Sequence, residues 1–277
     1  MKKYFFNFIL ISSLLFNSCA DWEQKTEIIS SGNINTERVV LVEEFTGASC
    51  PNCPVGSAEI ENITNKYPNN VVVLGLHSRF LAQPVKAEDP DLHTTDADNI
   101  EKFLGNYQGK PEASIDRKVF GGKSDIRIGK PDTWITYVEE ELKKETEARL
   151  KIEHSYNETT RELNIKVIAT ALKDLNFPIA IHVAITESEI HTAQKNNTGV
   201  IDDYTHQHVL RKLLTSALGG DVLISSLSKS NIASKEYKFT IPIDSKLWRV
   251  DNCNIVAFIS KDQNTKEVIQ ASEASIK

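Results

Sequence analysis

The stretch EEFTGASCPNCPVGSAEIENI, Glu43 to Ile63, sets two cysteines, Cys50 and Cys53, three positions apart where an apolar run gives way to a helix-like one. Two thiols at that spacing can form a reversible disulfide, supply half of a metal site, or staple the backbone. The reversible chemistry needs an asymmetric pair. A thiol at the N-terminal end of a helix meets unpaired amide N–H groups and the positive end of the helix dipole, and both favour its thiolate. A second thiol one turn further on is near enough to close the disulfide and is more sheltered. The order strand, Cys-x-x-Cys, helix puts Cys50 in the first role and Cys53 in the second. A zinc site would need a second ligand pair at comparable spacing, and the chain offers none. His206-Gln207-His208 would set two imidazoles on one face of a strand. Without an evident third ligand they read as hydrogen-bonding or packing groups. His77 reads as a solvated strand-end histidine or, alternatively, as a group that tunes a thiol. Arg211 reads as the partner of a carboxylate.

The elements around the pair can be read from periodicity. Val39-Val40-Leu41-Val42 is apolar on both faces, as a central strand requires. Pro54 to Tyr67 follows as a helix with Ile60 and Ile63 inward, and Pro68-Asn69-Asn70 stops it. Val71 to Leu76 is a second buried strand, so the first two strands form a parallel pair with a right-handed crossover. His77 to Asp98 reads as a polar insertion, Asp98 to Leu104 as a helix, and Gly109 to Arg117 as a turn entering a short strand. Thr133 to about Arg149 reads as a last helix, with Trp134, Val138 and Leu142 at four-residue spacing. After about Lys151 the period changes to two. Leu163–Val167, Ile179–Ile185, Tyr237–Ile241, Ile255–Ile259 and Glu267–Ser275 read as strands between turns, an all-β sandwich of roughly seven strands.

Composition narrows the partners. A net charge of −6, with basic residues interleaved among acidic ones, provides no concentrated basic face for nucleic acid. The N-terminus, MKKYFFNFILISSLLFNSC, joins two lysines to an apolar core too short to span a bilayer comfortably, as in an export signal. Phe16-Asn17-Ser18-Cys19 resembles the processing site of bacterial lipoproteins, which implies lipidation at Cys19. Ser18-Cys19-Ala20 also fits a small-x-small site that would release a soluble chain. Either way the chain reaches a compartment that permits disulfides. Residues 20–36 read as a flexible tether. The remaining Cys253 reads as a small core residue.

The strand leading into Cys50-Pro51-Asn52-Cys53 resembles the opening of thioredoxin-like proteins. That resemblance implies an α/β thioredoxin-like domain over 37–149, followed by an immunoglobulin-like β-sandwich over 150–277. It implies that Glu44 replaces the family's buried acid, which exchanges a proton with the resolving thiol; the alternative is an ordinary, partly exposed strand-end carboxylate. It also implies that Gly109-Lys110-Pro111 carries a cis-proline, where Pro111 and the Lys110 backbone present a substrate chain to the sulfurs. Ser49 stands where the family usually has Trp. More narrowly, Glu43-Glu44-Phe45-Thr46-Gly47, Cys50–Pro54, Ile115-Asp116-Arg117 and Asp203–Arg211 resemble the outer-membrane-protein-28-related lipoproteins. The expectation is therefore an outer-membrane lipoprotein, with 1–19 as signal peptide and lipobox. It would exchange disulfides with exported proteins carrying thiols or disulfides, without cofactor, metal or nucleic acid. The alternative is a surface binding protein or adhesin whose disulfide is structural.

Overall fold

The computed structural model describes residues 37–105, 108–244, 246–261 and 266–277. The signal peptide, the tether and Cys19 lie outside the described residues. The first half contains β1 (Val40–Thr46), α1 (Cys53–Lys66), β2 (Val71–His77), α2 (Thr95–Leu104), β3 (Glu112–Ile115) and α3 (Trp134–Leu142). The remainder is strand: β4 (Ala148–Asn157), β5 (Glu162–Ala171), β6 (Ile179–Glu187), β7 (Ile190–Asn196), β8 (Gly199–His206), β9 (Val209–Leu213), β10 (Asp221–Ile224), β11 (Ile232–Thr240), β12 (Cys253–Ser260) and β13 (Val268–Ser275).

β1 and β2 are buried along their whole length, and they pair in parallel as their continuous apolar runs require. α1 buries Ile60 and Ile63 against them and takes Pro54 in its first turn, where no backbone donor is lost. α2 starts at Thr95, earlier than its apolar pattern suggests, because Thr94 caps it by accepting from the Ala97 amide at 3.1 Å. α3 buries Trp134, Val138 and Leu142 but stops at Leu142, and Ala148–Asn157 is a strand.

The expected fold class, an α/β thioredoxin-like domain followed by a separate immunoglobulin-like sandwich, is overturned. Thirteen strands against three α-helices make the described chain mostly β, in several sheets. Among the described residues there is no separate α/β domain, because one sheet runs through both halves in the order β13-β12-β6-β9-β2-β1-β3, with β10 also on β6. The junction is the parallel contact of β2 with β9 at Gly75 and Val209. The Gly75 amide donates to the His208 carbonyl at 2.7 Å, and a Cβ at Gly75 would lie 3.1 Å from that oxygen. A bare backbone is what admits the second half here. The far end curls back, with Ala271 N donating to Val39 O and Val268 N to Asp116 O.

One apolar core accordingly joins Leu41, Leu74 and Leu76 to Ile100 of α2 and to Leu210, Val256 and Phe258. A second lies under α1 and α3 on the other face of β1 and β2. A third fills the space between β6 and β12 and the three-stranded sheet β11-β5-β4. Buried ion pairs brace the seam. Glu43 accepts from Arg117 at 2.6 and 3.0 Å and from Ser114 at 2.7 Å, and the Arg117 guanidinium lies 4.9 Å from the Phe258 ring. Asp116 pairs with Arg38 and accepts from the Leu41 amide.

Candidate functional site

β1 delivers the chain to a tight turn in which Cys50 N donates to the Gly47 carbonyl, and α1 begins at Cys53. Cys50 and Cys53 form a disulfide with a Cα–Cα separation of 5.4 Å. Pro51 and Asn52 are exposed, but both cysteines are only 1% exposed. The accessible nucleophile expected at Cys50 is therefore covered in this conformation. Two segments cover it. Ser49 donates its amide to Leu81 O at 3.0 Å and its hydroxyl to Gln83 O at 2.9 Å, which holds the loop after β2 in place. From the other side comes the β7–β8 hairpin. Gln194 Nε2 donates to the carbonyls of Gly47 at 3.2 Å and Cys50 at 3.0 Å, and Lys195 N donates to Ala48 O at 2.8 Å.

Glu44 sits in β1 against the first two turns of α1. A Cβ on Gly56 would come 3.1 Å from Glu44 Oε1, and Ser57 donates to that oxygen at 3.1 Å. Gly56 is one helical turn beyond Cys53. Burial pushes Glu44 up to about 7, and the Ser57 hydrogen bond opposes this only in part. The other buried acids, Glu43, Glu101, Glu112, Asp116, Glu141 and Glu187, each have an Arg or Lys nitrogen within 4.0 Å. Among the described residues, Glu44 has no such partner.

The Lys110–Pro111 peptide is cis, and Pro111 lies against α1 so closely that a Cβ on Gly56 would meet Pro111 Cβ at 2.7 Å. The structure thus gathers Cys50, Cys53, Glu44 and Pro111 around the start of α1. The Lys110 side chain is directed elsewhere. Its ammonium donates to the carbonyls of Thr46 at 2.8 Å, Phe80 at 3.0 Å and Ser78, so it fastens the loop after β2, and burial lowers it to about 8. A shallow groove of about 490 Å³ runs past Asn52, Val55, Gly109, Lys110 and Pro111.

On the opposite flank of α1 lies a cavity of about 510 Å³ between that helix and the end of β8. Glu44, Ser57, His77, Tyr204, His206 and His208 are among its lining residues. The rings of His77 and His206 are 5.4 Å apart and those of Tyr204 and His206 are 4.9 Å apart, both edge-on. Burial lowers His206 and His208 to about 4 and His77 well below its usual value, so all three are neutral at pH 7. His77 is thus a buried wall of the cavity and not a solvated strand end. No cluster of three or more His, Cys, Asp or Glu fit to hold a metal occurs among the described residues. Arg211 approaches Glu187 at 3.8 Å, and Cys253 is buried, pushed up to about 12, with Sγ donating to Arg249 O.

Gln194, Ser57 and Tyr204 were not legible as site residues, because all three act across sequence separations that carry no local pattern. Tyr204 came nearest, lying in the Asp203–Arg211 segment that the sequence singles out.

Among solved structures, HBP35 of Porphyromonas gingivalis is similar at a TM-score of 0.66 and 16% identity, over 87% of this chain and 76% of that one. A protein of Agrobacterium tumefaciens is similar at a TM-score of 0.52 and 13% identity, over 87% of this chain and 96% of that one. At these identities the likeness concerns the fold alone. No curated protein matches the sequence. The model of the outer membrane protein Omp28 family matches residues 100–277, more than half of the chain, so the chain belongs to that family and is a protein of the outer membrane and cell envelope.

Proposed function

We propose that this envelope protein exchanges disulfides with exported proteins through Cys50 and Cys53, and that the β7–β8 hairpin gates the exchange. The observation that carries this reading is Glu44, a buried carboxyl with a near-neutral pKa and no basic partner among the described residues, packed against Gly56, which lies one helical turn beyond Cys53. A structural staple has no need of such a group, whereas a departing thiolate needs an acid poised near the working pH.

In one direction a substrate thiolate attacks the Cys50 sulfur, the Cys50–Cys53 bond breaks, and Cys53 leaves with the Glu44 proton. A second substrate thiolate then attacks the mixed disulfide and releases Cys50 as a thiolate. Two electrons pass from the substrate dithiol to the pair. In reverse, the Cys50 thiolate attacks a substrate disulfide and Cys53 resolves it, giving its proton to Glu44. The groove past Asn52, Val55 and Pro111 supplies the seat for the substrate backbone, and Lys110 contributes its main chain there.

The competing reading, a binding protein with a permanent staple, draws on the 1% exposure of both cysteines. Cys53→Ser should trap mixed disulfides with exported proteins. A reduction potential below about −300 mV together with no trapped partner would favour the staple. We further propose that Cys19 carries the lipid anchor. Radiolabelled fatty acid should then mark the wild type and vanish in Cys19→Ala.

A further inference from the structure

The cavity between α1 and the end of β8 shares no lining residue with the substrate groove and meets the exchange chemistry only at Glu44 and its partner Ser57. Its volume of about 510 Å³ lies within the usual range for small-ligand sites. Its lining is one-sided in charge. Glu44 and Glu61 contribute carboxylates, no Lys or Arg contributes a cation, and the three histidines are uncharged. The remaining polar groups include hydroxyls of Thr46, Ser57, Thr64 and Tyr204, which can accept hydrogen bonds. Two imidazole nitrogens in buried residues of the same wall, His77 Nδ1 and His206 Nε2, have no hydrogen-bond partner among the described residues.

This fold pairs its other buried carboxylates with Arg or Lys, and Glu44 alone among the described residues is left without one. It is also the buried carboxylate that lines this cavity. An aromatic wall of Tyr204, His206 and His77 stands by it, with the Tyr204 ring available to a cation.

We infer that the cavity is a binding site for an alkylammonium or guanidinium group, whose charge pairs with Glu44 and whose methylenes lie along Pro54, Ala58 and Ile60. That chemistry belongs equally to a Lys or Arg side chain of a polypeptide and to a free small diamine. The inference goes beyond disulfide exchange and survives its failure, because binding is read with the disulfide intact and without turnover.

The experiment is calorimetric titration of the full chain at pH 8 with four probes: acetyl-Gly-Lys-Gly-amide, acetyl-Gly-Arg-Gly-amide, the same peptide carrying norleucine, and 1,5-diaminopentane. The cationic probes should bind and the norleucine peptide should not. Peptide binding without diamine binding assigns a polypeptide side chain, and the converse assigns a free amine. Glu44→Gln should weaken the cationic probe at least ten-fold. Ala58→Trp, a change at an exposed position on the cavity lining, should abolish binding while leaving the charge in place. Equal binding of norleucine and lysine peptides, no binding of any cation, or full affinity in Ala58→Trp would each overturn the inference.

Discussion

Replacing Glu44 with Gln should remove a pH dependence from the stability of the fold. In the unfolded chain this carboxyl titrates at its ordinary value of 4.5, whereas in the native state burial raises it to about 7. Between those values the folded protein holds a proton that the unfolded chain has released. The stabilisation linked to that proton is complete below 4.5, declines as pH rises, and is gone above about 7. At about 1.36 kcal/mol per pH unit, the interval from 4.5 to about 7 corresponds to about 3 kcal/mol. Gln keeps the shape and still accepts from Ser57, but it does not titrate. Urea unfolding at pH 4 and pH 8, with the disulfide intact, should therefore show Glu44→Gln gaining about 3 kcal/mol on the wild type as pH rises. A constant offset from the amide cancels in that comparison. Parallel stabilities at the two pH values would refute the claim that Glu44 is buried without a compensating charge. The proton-transfer role of Glu44 would lose its basis with it.

Gln194→Ala removes both side-chain donors that hold the hairpin over the cysteine turn, at about 0.5–1.5 kcal/mol each, so dithiothreitol should reduce the disulfide roughly 5- to 150-fold faster. An unchanged time course of thiol release would dispose of the gate. Gly56→Ala would press a methyl against Pro111 at 2.7 Å and should destabilise the fold by about 1–3 kcal/mol, seen as a lower melting temperature. Lys110→Met leaves the carbonyls of Thr46, Ser78 and Phe80 without their charged donor. It should cost about 1.5–3 kcal/mol and admit protease in the 78–83 loop, with an uncut loop as the contrary result.

Local signals made the first half readable. The β-branched runs of β1 and β2, the proline at the start of α1 and the four-residue spacing of α3 are each stated by neighbouring residues. The cysteine pair, Glu44 and Pro111 were legible as a set because their spacing, together with a family resemblance, pointed to one helix start. The error of fold class arose where information is non-local. Val209-Leu210-Arg211-Lys212-Leu213 has no clear strand period, yet β9 is what splices the two halves into one sheet. Gly75, inside the apolar run of β2, is the docking point, which none of its sequence neighbours signals. The covering of the cysteines was equally hidden, since Gln194 lies 144 residues from the carbonyl it holds. The fate of the Lys110 ammonium depended on where the loop after β2 would lie, which no periodicity encodes.

The way the chain enters the fold has a mechanical consequence. β1 is flanked along its length by β2 and over Val42–Phe45 by β3, and Val39 just ahead of it is tied to β13. Tension delivered through the residues before β1 pulls along the strand axis, so those bonds are loaded in shear and must rupture together instead of peeling one at a time. A pull applied ahead of β1 is thus resisted by the whole strand at once.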